Sequence, residues 1–259
     1  MRRLTGDPPA DAYLERLAAR AEELLGEVLI GSYLVNSGAR GDYLPGRSDL
    51  DAVLVVADAL ADPMKRRLAE ELGHAAIPCP APRLELVVYR REVAAAPGER
   101  PAFELNLNSG PAIADHVALD SAHEPWFWFA LDLATANQAA TPIGGPPSTG
   151  IFGEVPRRVV IDALLASNAW HVRHDSRAPN RVLNACRAWR WIATSSWRSK
   201  TEAAVWAIEA GGDADLIGHA MALRSGERED QLPIAGVERL SEHVARLIEA
   251  AAAGEPPAA

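Results

Sequence analysis

Residues 141–156 hold Pro142, Gly144, Gly145, Pro146, Pro147, Gly150, Gly153 and Pro156. So many positions without a backbone donor or a β-carbon read as a connector, and the patterning differs on its two sides. Before it, residues 11–25 put Leu14, Leu17, Ala18, Ala21, Leu24 and Leu25 on one helical stripe. Strand-like runs follow at 28–35, 52–56 and 84–89, with a second helix over 62–72, where Asp62-Pro63 supplies cap and first-turn chemistry. Beyond the connector, residues 159–170, 180–192, 200–210 and 237–251 show apolar spacing of helical period and few strand signals. The expectation is an α+β protein: an α/β domain with a mixed sheet over 1–155, then an all-helical domain over 156–259, with a disordered tail from about 254.

At 259 residues the chain can bury two cores. Its net charge of −9 argues against a nucleic-acid partner, and no apolar run is long enough to span a membrane. The first residues lack the apolar stretch of a secretory signal, and Cys79 and Cys186 stand far apart, so a cytoplasmic protein is expected. Charge is unevenly spread, however. Between 157 and 200 there are nine Arg or Lys residues against only Asp162 and Asp175. Such a run is ordinarily a solvated face, and becomes a candidate anion site only if acidic metal ligands lie elsewhere.

They do. Ser48-Asp49-Leu50-Asp51 opens directly into the strand at 52–56. Residues two apart in a strand point the same way, so Asp49 and Asp51 project together while Leu50 faces the core. Two carboxylates on one side invite a hard cation such as Mg²⁺, which keeps waters and takes further ligands from phosphates. Glu85, inside an otherwise apolar strand, adds a third carboxylate that would be costly to bury alone. Upstream, Asn36-Ser37-Gly38-Ala39-Arg40-Gly41 is a turn whose free N–H groups and Ser37 hydroxyl could hold phosphate. Each feature alone is common, but together they favour a metal site.

These residues resemble the DNA polymerase β nucleotidyltransferase superfamily, whose pattern is Gly-Ser after a strand, then Asp-x-Asp, then a carboxylate on a later strand. More closely, the chain resembles the streptomycin/spectinomycin adenylyltransferases, from about Leu24 to about Asp230. Gly31-Ser32 looks like the signature dipeptide, but sixteen residues separate Ser32 from Asp49, whereas Ser37 leaves eleven. Ser37 is therefore assigned the signature position, with Asn36 where the family has Gly. The resemblance extends to 183–189, which matches a helix with a phosphate-binding Arg, here Arg187. Thirteen residues later Lys200 matches a phosphate-binding Lys. Independently, Ser199 and Glu202 form a capping box that starts a helix at Lys200. Two aromatics of the family are missing: Leu223 stands near one, and Ser109-Gly110 near the other. Trp126, Trp128 and Trp170 are possible substitutes, and Asp175 and Glu85 the acids available to a polycation.

The resemblance implies transfer of AMP from ATP to a hydroxyl of a small molecule, an aminoglycoside or aminocyclitol, with loss of pyrophosphate. Asp49 and Asp51 would hold Mg²⁺. Glu85 would complete a second metal site or act as base, and Ser37, Ser48, Arg187 and Lys200 would bind phosphates. Two alternatives stay open: a different natural-product or protein hydroxyl, and a non-catalytic nucleotide-binding regulator. The oligomeric state is not legible in the sequence.

Overall fold

A computed structural model describes residues 4–175 and 178–254 of the chain. The tail expected to be disordered falls, from 255 onward, outside them, as does Arg177. The chain divides into two compact units, Met1–Pro156 and Arg157–Ala259.

The first unit is built on one six-stranded sheet: β1 Leu29–Leu34, β2 Leu50–Val56, β3 Leu84–Arg90, β4 Leu105–Gly110, β5 Ile113–Ala118 and β6 Thr141–Gly144. Their order across the sheet is β5-β4-β3-β2-β1-β6. β2 and β3 are parallel and every other pair is antiparallel, so the sheet is mixed. The parallel pair needs a crossover, which α3 (Asp62–Leu72) supplies. Helix α1 (Pro8–Leu25) is capped by the Asp7 carboxylate, which accepts from the Ala10 amide, with Pro8 in the first turn.

Strand alternation divides the sheet into two faces. Leu50, Ala52, Leu54 and Val56 of β2 join Leu84, Leu86 and Val88 of β3 in one core, together with Leu14, Leu17 and Ala21 of α1 and Leu68 and Leu72 of α3. The intervening residues, Asp51 and Glu85 among them, turn the other way.

Three details differ from the sequence expectation. Ala61, not Asp62, occupies the N-cap of α3, and Asp62 is its first helical residue. The supposed connector begins with a strand: β6 pairs with β1 on the sheet edge, where Pro142 removes no needed ladder bond. The stretch from 91 to 140, unassigned by pattern, contains α4 (Arg91–Ala95), β4, β5 and α5 (Trp126–Ala139). α5 begins Trp-Phe-Trp-Phe-Ala-Leu, apolar all round, so it carries no helical stripe to detect. β5 is exposed along most of its length and shows no burial alternation.

The second unit is helical throughout its described residues: α6 Arg157–His174, α7 Pro179–Thr194, α8 Lys200–Glu209, α9 Ala214–Ser225 and α10 Ile234–Ala252. The capping box at α8 is complete in both directions, Ser199 accepting from the Glu202 amide and Glu202 accepting from the Ser199 amide. α9, also unassigned by pattern, starts at an Asp213 cap and ends at Gly226 in the left-handed region. Arg181, one of the nine basic residues of the 157–200 run, is buried and donates to the Ser241 hydroxyl at 2.9 Å, so it belongs to the core.

Candidate active site

Parallel pairing places Asp51 of β2 directly beside Glu85 of β3. Leu50 and Leu84, one residue earlier on each strand, are register partners too and lie in the core. Burial of these two leucines therefore forces both carboxylates onto the opposite face, side by side. Asp49 lies just before β2, and Arg83 just before β3.

Arg83 was not singled out by sequence. Its Nη2 donates to Asp49 Oδ2 at 2.7 Å and also meets Glu85 Oε1, so one guanidinium ties two of the three acids together. Burial works against its charge, but Glu85 and Asp49 outweigh that and raise its pKa. Position 83 lies two before Glu85, on the same strand face, and that spacing is the signal that could have flagged it.

Asp51 has no guanidinium of its own. Burial raises its carboxyl well above the ordinary range, and the charges of Glu85, Asp132 and Asp49 push it further the same way. Asp132 is a fourth acid, from α5. The Asn36 amide nitrogen links it to the site, donating to Asp132 Oδ1 at 3.0 Å and to Asp51 Oδ1 at 3.3 Å. Asn36 has φ +50°, the left-handed region that Asn tolerates better than most residues.

Ser37 is the second residue of α2 (Asn36–Ala39), and its carbonyl accepts from the Asp42 and Arg40 amides, folding the turn back on itself. Ser32, by contrast, is buried within β1. The Ser48 hydroxyl accepts from the Leu44 amide at 3.0 Å, which closes the loop leading into Asp49. Gly110 explains one missing ring: a β-carbon there would sit 2.5 Å from the Pro82 carbonyl oxygen, so no side chain fits.

Among the described residues, no group of three or more histidine, cysteine or acidic side chains is disposed to hold a metal ion by itself. Asp49, Asp51 and Glu85 therefore do not make a closed cage, because Arg83 draws Asp49 and Glu85 to itself. The donor set still fits Mg²⁺, which wants hard oxygens, few of them from protein and the rest from water and phosphate. Burial first, and then the neighbouring acids Glu85, Asp132 and Asp49, disfavour the charge of Asp51, and a bound cation would offset both.

In the helical unit, Arg187 lies on α7 with its guanidinium carbon 5.5 Å from the centre of the Trp197 ring. Lys200 is the first residue of α8, and its Nζ donates to Asn180 Oδ1 at 2.9 Å. Arg224 donates to the Thr201 hydroxyl of that same first turn. Trp170 stacks on His174, and Asp175 accepts from or bridges to His171 Nδ1 at 2.7 Å.

A mixed sheet with acids aligned on one face is followed in the chain by an all-helical unit, and both parts have counterparts among known proteins. Residues 150–252 match the family AadA_C, the aminoglycoside adenylyltransferase C-terminal domain. The whole chain is similar in fold to spectinomycin adenyltransferase AAD(9) from Enterococcus faecialis, solved with ATP and spectinomycin. That likeness has a TM-score of 0.69 at 17% identity and covers 92% of this chain and 98% of the other. A chain solved in a toxin-antitoxin structure with AMP-PNP aligns at a TM-score of 0.29 and 12% identity over 64% of this chain and 92% of that one, too low to bear on function. A search of curated proteins gave no match. The helical part is thus similar to the aminoglycoside adenylyltransferase C-terminal domain, and the chain has an α+β fold like that of AAD(9). Among the described residues no helix is long and apolar enough to cross a membrane.

Proposed function

We propose that the chain is a Mg²⁺-dependent adenylyltransferase that moves AMP from ATP to a hydroxyl of an aminoglycoside or aminocyclitol, releasing pyrophosphate. The observation that carries the reading is the in-register pair Asp51 and Glu85, with Asp49 beside them, on the sheet face opposite Leu50 and Leu84. Asp49 and Asp51 would hold Mg²⁺, which when bound would supply charge neutralisation for the triphosphate. Glu85 takes the proton of the attacking hydroxyl or shares a second metal ion. Ser37 and the turn that follows it bind phosphate through hydroxyl and backbone N–H groups. Ser48 binds phosphate with them, its hydroxyl keeping a hydrogen to donate while it accepts from the Leu44 amide. Arg187 and Lys200 bind the triphosphate, and a phosphate at the start of α8 would offset the unfavourable position of a cation in a first helical turn. We place the protein in the cytoplasm, where ATP and Mg²⁺ are available.

The test is pyrophosphate release with Mg²⁺ and ATP across a panel of aminoglycosides and aminocyclitols, with mass spectrometry of the acceptor. A product heavier by one adenylyl group supports the reading and identifies the acceptor. ATP binding with no product on any member would favour another hydroxyl, or the nucleotide-binding regulator. The Arg83 bridge across Asp49 and Glu85 is the one observation that favours the regulator, since it must loosen before a cation can use both acids.

A further inference from the structure

α5 carries a single charged residue, Asp132, in the sequence Trp-Phe-Trp-Phe-Ala-Leu-Asp-Leu-Ala-Thr-Ala-Asn-Gln-Ala. An ionised carboxylate half-buried on an apolar helix is unfavourable unless something requires it there. What it meets is the Asn36 amide, and Asn36 is held on both ends. Its Nδ2 donates to Asp132 Oδ1 at 3.0 Å and to Asp51 Oδ1 at 3.3 Å, while its Oδ1 accepts from the buried Thr135 hydroxyl at 2.9 Å. Thr135 is fixed in turn, because its carbonyl accepts from Arg40 Nη2 at 3.1 Å.

The chemistry of an amide makes this arrangement directional. Its nitrogen has two hydrogens and no acceptor capacity, so it can serve one oxygen of each carboxylate at once. Its oxygen can only accept, so the two carboxylates require the nitrogen and leave the oxygen to the Thr135 hydroxyl, whose one hydrogen is shared with the Asp132 carbonyl at 2.9 Å. Asp132 and Asp51 together thus fix which end of Asn36 faces them, with Thr135 compatible at the other end. Asn36 also adopts φ +50°, where glycine would sit without strain. A residue kept in a left-handed conformation, with all its polar atoms engaged, points to a role for the side chain.

We propose that Asp132, acting through Asn36 and supported by Thr135, is a positioning residue that holds the Asp51 carboxylate in the orientation from which it binds the divalent cation. Asp132 itself touches neither substrate nor metal in this account. The inference rests on the adenylyltransferase reading of Asp51. It goes beyond that reading by assigning α5, a helix outside the strand-borne acids, to the cation site.

The experiment uses the full chain and Mn²⁺ as an electron paramagnetic resonance probe, titrated with a non-hydrolysable ATP analogue present. Asn36→Gly removes the amide while relieving the left-handed backbone, so loss of function cannot be blamed on strain. Asp132→Ala removes the anchor, Asp132→Asn keeps an acceptor oxygen, and thermal melting checks that each variant folds. N36G and D132A should each weaken Mn²⁺ binding about tenfold, the usual size for losing a group that orients a ligand. The double variant should be no weaker than either single one, since both break the same chain of hydrogen bonds. D132N should recover most of the affinity, and kcat should fall in N36G and D132A with little change in KM for the acceptor. Wild-type Mn²⁺ affinity in folded N36G and D132A, or additive losses in the double variant, would overturn the proposal and leave the adenylyltransferase reading intact. Absence of Mn²⁺–nucleotide binding by the wild-type chain would overturn both.

Discussion

In the N-terminal unit, like charges are pressed together: burial raises the proton affinity of Asp51, and Glu85 beside it in register, Asp132 and Asp49 raise it further. The helical unit treats its cations differently. Arg187 rests over Trp197, Lys200 donates to Asn180, Arg181 donates to Ser241 and Arg157 lies 5.1 Å from the centre of the Trp191 ring. Neutral or aromatic partners do not cancel a cation's charge. The acids hold unfavourable electrostatic energy that a bound cation can release, whereas the partners named for Arg187, Lys200 and Arg157 are neutral or aromatic, and Arg181, its pKa lowered by burial, belongs to the core. Removing an acid should therefore change chemistry greatly and relieve the fold, and removing a cation should change binding modestly.

The largest effect should come from Asp51→Asn. It keeps the size of the side chain and its place opposite Glu85 but removes the charge proposed to bind Mg²⁺. We expect kcat for pyrophosphate release to fall on the order of a thousandfold, equivalent to about 4 kcal/mol, with circular dichroism unchanged. Substantial turnover in D51N would show that the strand-borne acids are not the metal ligands. Lys200→Ala should do much less: KM for ATP should rise about tenfold, the size of one charge-assisted hydrogen bond, while kcat and the melting temperature stay near wild type. A thousandfold loss in K200A would erase the contrast between the units.

The same contrast predicts opposite pH dependences. Asp51 has a raised pKa, so above the ordinary carboxylate pKa of about 4 the native state binds more protons than the unfolded chain. Without metal, its contribution to stability is present at low pH and lost as pH rises through the native value. D51N should flatten that fall and melt higher than wild type at neutral pH. His171 behaves in the reverse sense. Burial lowers its pKa, against the opposing effect of Asp175, and Nε2 faces the Asn184 amide at 3.0 Å. The amide assigns Nε2 as acceptor and Nδ1 as the donor to Asp175, which is the neutral tautomer. Its contribution is present above the unfolded pKa of about 6.5 and lost as pH falls, with a slope of at most about 1.4 kcal/mol per pH unit. His171→Gln should remove the acid-side slope alone, measurable by chemical denaturation at several pH values.

Much of this contrast can be read directly from the chain. Asp49, Asp51 and Glu85 were legible because β2 and β3 are short apolar runs whose alternation leaves little freedom in what faces where. Lys200 was legible because a capping box is local chemistry. Asp132 was not, since it interrupts a helix apolar on every side and finds Asp51 through Asn36, ninety-six residues away in sequence. Arg83 stands two before Glu85, a local signal, but its contact with Asp49 forms only once two strands pair in parallel, a long-range event. Ser48 is assigned to phosphate from its place beside Asp49, and its hydroxyl also accepts from the Leu44 amide, a loop-closing bond that composition does not betray.

The smallest predicted effect separates scaffold from ligand site at the start of α8. Ser199→Ala deletes one half of the capping box and should reduce stability by about 1 kcal/mol, read by urea denaturation. Ser199 also sets the direction of the first turn, because its amide is held by Glu202 at 3.1 Å while Glu202 is held by Ser199. If Lys200 binds phosphate from that turn, fraying it should raise KM for ATP by a few-fold as well. S199A and K200A then form a pair. K200A moves KM and leaves stability, S199A moves both, and the double variant should have the KM of K200A alone, since a frayed turn no longer matters once its cation is gone. Independent, additive effects on KM would mean that the cap serves only the fold, and that Lys200 finds its anion without help from the helix it begins.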